Sequence, residues 1–188
     1  MIKDLNNYIL RIENFIPNNL CDKIIKNLED TKFETHTFYN ARTNTHKTLS
    51  GEQELESTFD NVDGKDELGK SFWYAIQKYI EHINMPWFDS WSGYTTLKIN
   101  KYIENRKMHL HCDHIHSAFD GKIRGVPILS VLGFLNDDFE GGEFIMFDNE
   151  EFKFKKGEVV IFPSNFLYPH KVNPVTKGTR YSVVSWVY

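Results

Sequence analysis

The sequence is short of several features that would assign it at once. It has only two cysteines, Cys21 and Cys112, far apart and with no CxxC pair. That excludes a four-cysteine zinc site and a disulfide-stapled scaffold, and two reduced thiols are expected. Basic residues are not in excess: 22 Lys and Arg against 26 Asp and Glu give a net charge of −4, which argues against a general nucleic-acid binder. No apolar run approaches the ~20 residues needed to cross a bilayer. The opening "MIKDLNNYIL" lacks the apolar stretch and small-residue cleavage site of a secretory leader. A cytoplasmic protein with no membrane partner is therefore expected. The zinc-protease motif HExxH is missing, as are internal repeats and low-complexity segments.

What the chain does have is 188 residues, enough for one domain with a real core, and an aromatic content of 15% that leans toward β structure. "PNNLCDKIIKNLED" repeats Leu20, Ile24 and Leu28 every four residues, an amphipathic helix for which Asn18 or Asn19 is the expected cap. A second helical pattern runs from about residue 66 to 84, with Leu68, Phe72, Ile76, Ile80 and Ile83 on one face, and "NMP" ends it. Residues 38–64 are polar and poorly periodic, which reads as a long surface loop and a candidate lid. From residue 92 onward, short β-branched and aromatic runs alternate with Gly, Pro, Asn and Asp: "YTTLKINKYI", "MHLHCD", "PILSVLGFLN", "EFIMF", "EVVIF" and "TRYSVVSWVY". This is the pattern of a sandwich or jelly roll. The expected architecture is a single domain, mostly β with flanking helices: helical support over about 1–90 and a jelly-roll core over about 91–188.

Four of the eight histidines crowd into "HLHCDHIH", residues 109–116. On a strand, His109, His111 and Asp113 share one face, while Leu110 and Cys112 point to the other, which suits a core. His170, after "GEVVIFPSNFLYP", is the one histidine beyond the cluster and can meet it across a jelly roll, where distant strands face each other. Two imidazoles and a carboxylate on one face of a cation leave positions open for cosubstrates, an arrangement suited to non-heme Fe(II). Arg180 lies in a strand-like apolar run, so its charge needs a partner: an internal carboxylate, or a carboxylate on a small ligand held bidentately. Ser182 shares its strand face and could assist. Tyr102 could add a donor or be a core tyrosine. His36, His46 and His82 read as exposed.

Taken in order, "KYIENRKMHLHCD", "SVLGFLNDDFEGGEFIMF" and "GEVVIFPSNFLYPHKVNPVTKGTRYSVVSW" resemble the Fe(II)- and 2-oxoglutarate-dependent dioxygenases of the prolyl 4-hydroxylase-like branch. The resemblance covers residues 96–187, with an echo in "IENFIPNNLCDKII". It implies a double-stranded β-helix holding Fe(II) through His111, Asp113 and His170, with Arg180 on the distal carboxylate of 2-oxoglutarate and Tyr102 near that cosubstrate. The implied reaction couples oxidative decarboxylation of 2-oxoglutarate, with O2, to hydroxylation of a C–H bond, with ascorbate as a stimulant. A prolyl or other side chain of a protein or peptide is the expected substrate. Departures are Asn105 where a glycine is common, Met108 where an aromatic is common, and Arg180 where the prolyl enzymes usually have Lys. They put proline as the substrate in doubt.

Four other readings compete, one of them a purely structural jelly roll whose histidines are surface residues. A small-molecule hydroxylase, acting for instance on a free amino acid, fits the same motifs. Nucleic-acid demethylases of the superfamily typically carry a second arginine six residues after the first, where Trp186 stands here. A non-catalytic cupin-like metal- or sugar-binding jelly roll would use "HLH" itself, but lacks the glutamate that follows and gives Arg180 no purpose. His114 and His116 sit where the family's backbone turns into a substrate-side loop.

Overall fold

The computed structural model describes residues 4–40, 43, 45–49, 53–86, 91, 93–113 and 127–188. His114, His116 and the loop that contains them lie outside the described residues. A 3-10 turn (Leu5–Tyr8), strand β1 (Leu10–Ile12) and helix α1 (Asn18–Asn27) come first. Then follow β2 (Glu34–Thr35), β3 (Phe38–Asn40), β4 (Thr45–Lys47), β5 (Glu56–Thr58) and helix α2 (Lys65–Ile83). Strands β6 (Lys98–Tyr102) and β7 (Met108–His111) precede β8 (Leu129–Phe134), β9 (Glu140–Gly141), β10 (Phe144–Met146) and β11 (Glu150–Phe152). Strands β12 (Val159–Pro163), β13 (His170–Val172), β14 (Val175–Lys177) and β15 (Arg180–Val187) complete the fold.

Two antiparallel sheets make the sandwich: seven strands in the order β1-β12-β8-β15-β6-β5-β2, and four in the order β11-β10-β13-β7. Strand alternation sorts the large sheet's side chains into two layers. Ile99, Val131, Val159, Ile161, Val183 and Val187 face the helices and pack with Leu20, Ile24, Leu68, Phe72 and Ile76. Tyr102, Leu132, Phe134, Val160, Phe162 and Val184 face the small sheet and pack with Phe144, Met146, Tyr168 and Val172. Full burial of one such aliphatic or aromatic residue contributes about 1.5–3 kcal/mol, so both faces of the large sheet are anchored. The mostly-β jelly roll with helical support is the fold observed. No helix among the described residues is long and apolar enough to cross a membrane.

Four details differ from expectation. Helix α1 is capped by Pro17, with no hydrogen bond from a capping side group. The Pro17 carbonyl accepts from the N–H groups of Leu20 and Cys21, so neither asparagine is needed. Helix α2 matches closely: Gly64 opens it in a left-handed conformation with φ 94°, and Asn84 closes it with φ 41°. Residues 38–64 are not one loop. They hold the β3–β4 hairpin and β5, which joins the large sheet beside β6. Because β4 is exposed at every position, no apolar alternation marks it. Leu110 is 58% exposed rather than core-facing, since β7 is the edge strand of the small sheet and shows that face to solvent. His36 is only partly exposed, unlike His46 and His82. Asn105 takes φ 66°, the left-handed conformation for which a glycine is common, and asparagine tolerates it.

Candidate active site

Strands β7 and β13 pair so that His111 and His170 are direct antiparallel partners, which brings side chains 59 positions apart to one spot on the inner face of the small sheet. Asp113 lies just past the end of β7 and turns inward until only 4% exposed. One ligand-type atom from each of His111, Asp113 and His170 lies within 4.8 Å of the others. His111 Nε2 is 3.3 Å from Asp113 Oδ1, and His170 Nε2 is 3.8 Å from Oδ2. His109 is not in this cluster; it contributes its backbone carbonyl.

Both imidazoles are oriented by the backbone. His111 Nδ1 donates to the carbonyl of His109 at 2.7 Å, and His170 Nδ1 to that of Tyr168 at 3.1 Å. A nitrogen facing a carbonyl must carry a proton, so in the neutral ring it is Nε2 that presents its lone pair to the cluster. Phe144 stacks on His170 with centroids 5.3 Å apart, and Phe162 meets it edge-on at 5.2 Å. Burial, with His111 beside it, pushes the His170 imidazole down to about 4. Ser130 on β8 donates its hydroxyl to Asp113 Oδ2 at 2.6 Å and also meets the Ser164 hydroxyl at 2.7 Å. Burial alone would raise the Asp113 carboxyl, but His170, His111 and the Ser130 hydroxyl hold it well below the usual carboxylate range. At neutral pH the His170 imidazole is thus neutral and the Asp113 carboxyl ionised, the states in which each can hold a cation.

The same cavity, of about 720 Å³, is lined by Tyr102, Arg180 and Ser182. The Arg180 guanidinium is 2% exposed. It donates to Ser182 Oγ at 3.1 Å and lies over the Tyr102 ring at 4.7 Å and near the Phe134 ring at 5.5 Å. No carboxylate among the described residues pairs with it. Burial lowers its pKa, but a guanidinium stays charged in a protein. Gly142, at φ 64°, leaves room for it: a Cβ there would meet Arg180 Cδ at 3.1 Å.

Sequence reasoning passed over several residues of the site: Lys98 and Asn100 on β6 and His36 and Phe38 from the segment after β2, which line the cavity, and Ser130 and Ser164 behind Asp113. Lys98 had a visible cue, a cation in step with Asn100 and Tyr102 and out of step with Leu97 and Ile99. The serines had none, because their partners, Asp113 for Ser130 and Ser130 for Ser164, are remote in sequence.

Comparison with known proteins agrees with this geometry. The 2OG-Fe(II) oxygenase superfamily is matched over residues 97–188. A PKHD-type hydroxylase of Idiomarina loihiensis is 34% identical over 92 residues, 47% of this chain and 40% of that protein. The PKHD-type hydroxylase PiuC of Pseudomonas aeruginosa is 33% identical over 93 residues, 46% of this chain and 40% of its own length. The chain thus spans well under half the length of these curated relatives. A Trichoplax adhaerens prolyl hydroxylase, solved with a hypoxia inducible factor peptide fragment, superposes with a TM-score of 0.71 at 18% identity, covering 98% of this chain and 85% of its own. A Pseudomonas putida prolyl-4-hydroxylase superposes with a TM-score of 0.66 at 17% identity, covering 96% and 91%. At these identities the structural likeness is one of fold. Residues 97–188, which contain the whole His-Asp-His cluster and Arg180, match the 2OG-Fe(II) oxygenase superfamily, and the fold of the chain is like that of prolyl hydroxylases.

Proposed function

We propose that the protein couples oxidative decarboxylation of 2-oxoglutarate to hydroxylation of a C–H bond on a residue of a protein or peptide. One observation carries this reading: a buried guanidinium without an acidic partner among the described residues faces the same cavity as a two-histidine, one-carboxylate cluster. The donor set fits a non-heme Fe(II) site, and the unpaired cation fits a ligand carboxylate. His111, Asp113 and His170 would hold the metal, which supplies the oxygen chemistry that amino-acid groups lack.

The protein's own residues have separate tasks. The carbonyls of His109 and Tyr168 hold the two imidazoles in the tautomer that offers Nε2. Ser130, backed by Ser164, fixes the Asp113 carboxylate in one orientation. Arg180, with Ser182 and Tyr102 around it, binds the distal carboxylate of 2-oxoglutarate and sets its distance from the cluster. Phe144 and Phe162 keep water from the side of His170. Relatives named as hydroxylases, and structural neighbours described as prolyl hydroxylases, support hydroxylation of an amino-acid residue.

Succinate release with iron, ascorbate and 2-oxoglutarate, scanned across proline-containing peptides, other peptides and free amino acids, tests the reading. Turnover should rise with a peptide and vanish in His111→Ala, Asp113→Ala and His170→Ala. Full Fe(II)-dependent decarboxylation in those variants would overturn it.

A further inference from the structure

We infer that the cavity holds a second anion-binding point, Lys98, which selects substrates carrying a carboxylate near the carbon that is oxidised. This inference rests on the function proposed above and names the substrate class of the same site. Strand β6 turns Lys98, Asn100 and Tyr102 into the cavity and Leu97 and Ile99 toward the helices. Lys98 is only 7% exposed. Its ammonium donates to His36 Nδ1 at 2.9 Å, a neutral partner that leaves the charge uncompensated. Among the described residues it forms no ion pair, and Asp113, the one carboxylate that acts on it, belongs to the cluster. An ammonium buried without a counter-charge costs several kcal/mol, and an anion from outside the protein removes that cost.

Register separates Lys98 from Arg180. Across β6 and β15 the partners are Arg180 with Tyr102, Ser182 with Asn100 and Val184 with Lys98. Four residues of strand, about 13 Å, therefore divide the backbone position of the proposed cosubstrate clamp from that of Lys98. The far end is the one left for substrate. Trp186, two residues beyond Val184 on the same face of β15, also lines the cavity, and its indole Nε1 is buried with no hydrogen-bond partner. Asn100 Oδ1 is likewise buried and unpartnered. The ammonium and the indole N–H are two donors on neighbouring strands at one end of the cavity, enough for the two oxygens of a carboxylate. Asn100 adds an acceptor for an N–H of the same molecule.

Binding, measured by calorimetry on Mn(II)-loaded protein with 2-oxoglutarate present, tests this without turnover. One arm compares N-acetyl-L-proline with N-acetyl-L-prolinamide, for a free carboxylate. A second compares capped Pro-Asp and Pro-Asn peptides, for an acidic side group. In at least one arm the acid should bind about tenfold or more tighter than its neutral twin. That gap should close in Lys98→Met, persist in Lys98→Arg, and shrink in Trp186→Phe, while 2-oxoglutarate affinity stays within about twofold of the parent protein. The proposal is overturned by the absence of an acid preference in both arms, by a gap that survives Lys98→Met, or by a loss of 2-oxoglutarate binding in Lys98→Met comparable to that in Arg180→Met. Should Lys98→Met not fold, Lys98→Gln carries the same expectation. Failure of succinate release with every peptide would sink the proposed reaction and leave the binding gap untouched, so the two failures are distinguishable.

Discussion

Replacing Arg180 by Met leaves apolar atoms against Tyr102 and Phe134 where a guanidinium stood. If that guanidinium holds the distal carboxylate, its loss costs about 2–5 kcal/mol of binding. Titration calorimetry should then show 2-oxoglutarate affinity falling by about 30-fold or more, with kcat at saturating cosubstrate falling less. An unchanged affinity would leave Arg180 a structural residue. At this scale the sequence pointed to residues by chemical type and spacing: His111, Asp113, His170, Tyr102, Arg180 and Ser182 do all line one cavity. The residues it did not reveal act through partners distant in sequence. Ser130 matters because of Asp113, and His36 because of Lys98, and neither pairing leaves a trace in local pattern.

Single elements were legible where one face is apolar and the other is not. Helix α2 shows this best, with Leu68, Phe72 and Ile76 all fully buried. Phe72→Ala should destabilise the protein by about 3–5 kcal/mol in a urea titration, through the cavity left between α2 and the large sheet. Strands β2, β4 and β5 were illegible because polar residues occupy both of their faces. The turn before β10 is a further case. Its glycine pair reads as turn chemistry, and Gly142 is a spacing requirement as well. Gly142→Ala would place a methyl group at φ 64°, 3.0 Å from Val175 Cγ2 and 3.1 Å from Arg180 Cδ. We expect about 1–2 kcal/mol of lost stability from the backbone, and with it a rise in the 2-oxoglutarate Kd, because Arg180 must move.

For the molecule as a whole, layers were legible and strand order was not: alternating runs announce a sandwich, but only tertiary pairing puts β15 between β8 and β6. Stability of the assembled layers should depend on pH at the alkaline end. Burial pushes the Cys21 thiol from 9.0 up to about 11, with Lys156 opposing. A raised acid pKa means the folded protein retains a proton that the unfolded state releases, so the contribution is complete below about pH 9 and is lost as pH rises toward about 11. Melting temperatures across that window should fall, and less steeply in Cys21→Ala. The pairing of β6 with β15 has one more consequence, for the length of the molecule that can be consumed. Arg180 stands on the large sheet and His111 and His170 on the small one, so if Arg180 is the cosubstrate clamp proposed above, the gap between them is a gauge for carbon skeletons. A keto diacid one methylene longer or shorter than 2-oxoglutarate cannot span it without strain or a lost contact, and 2-oxoadipate and oxaloacetate should both support markedly less turnover.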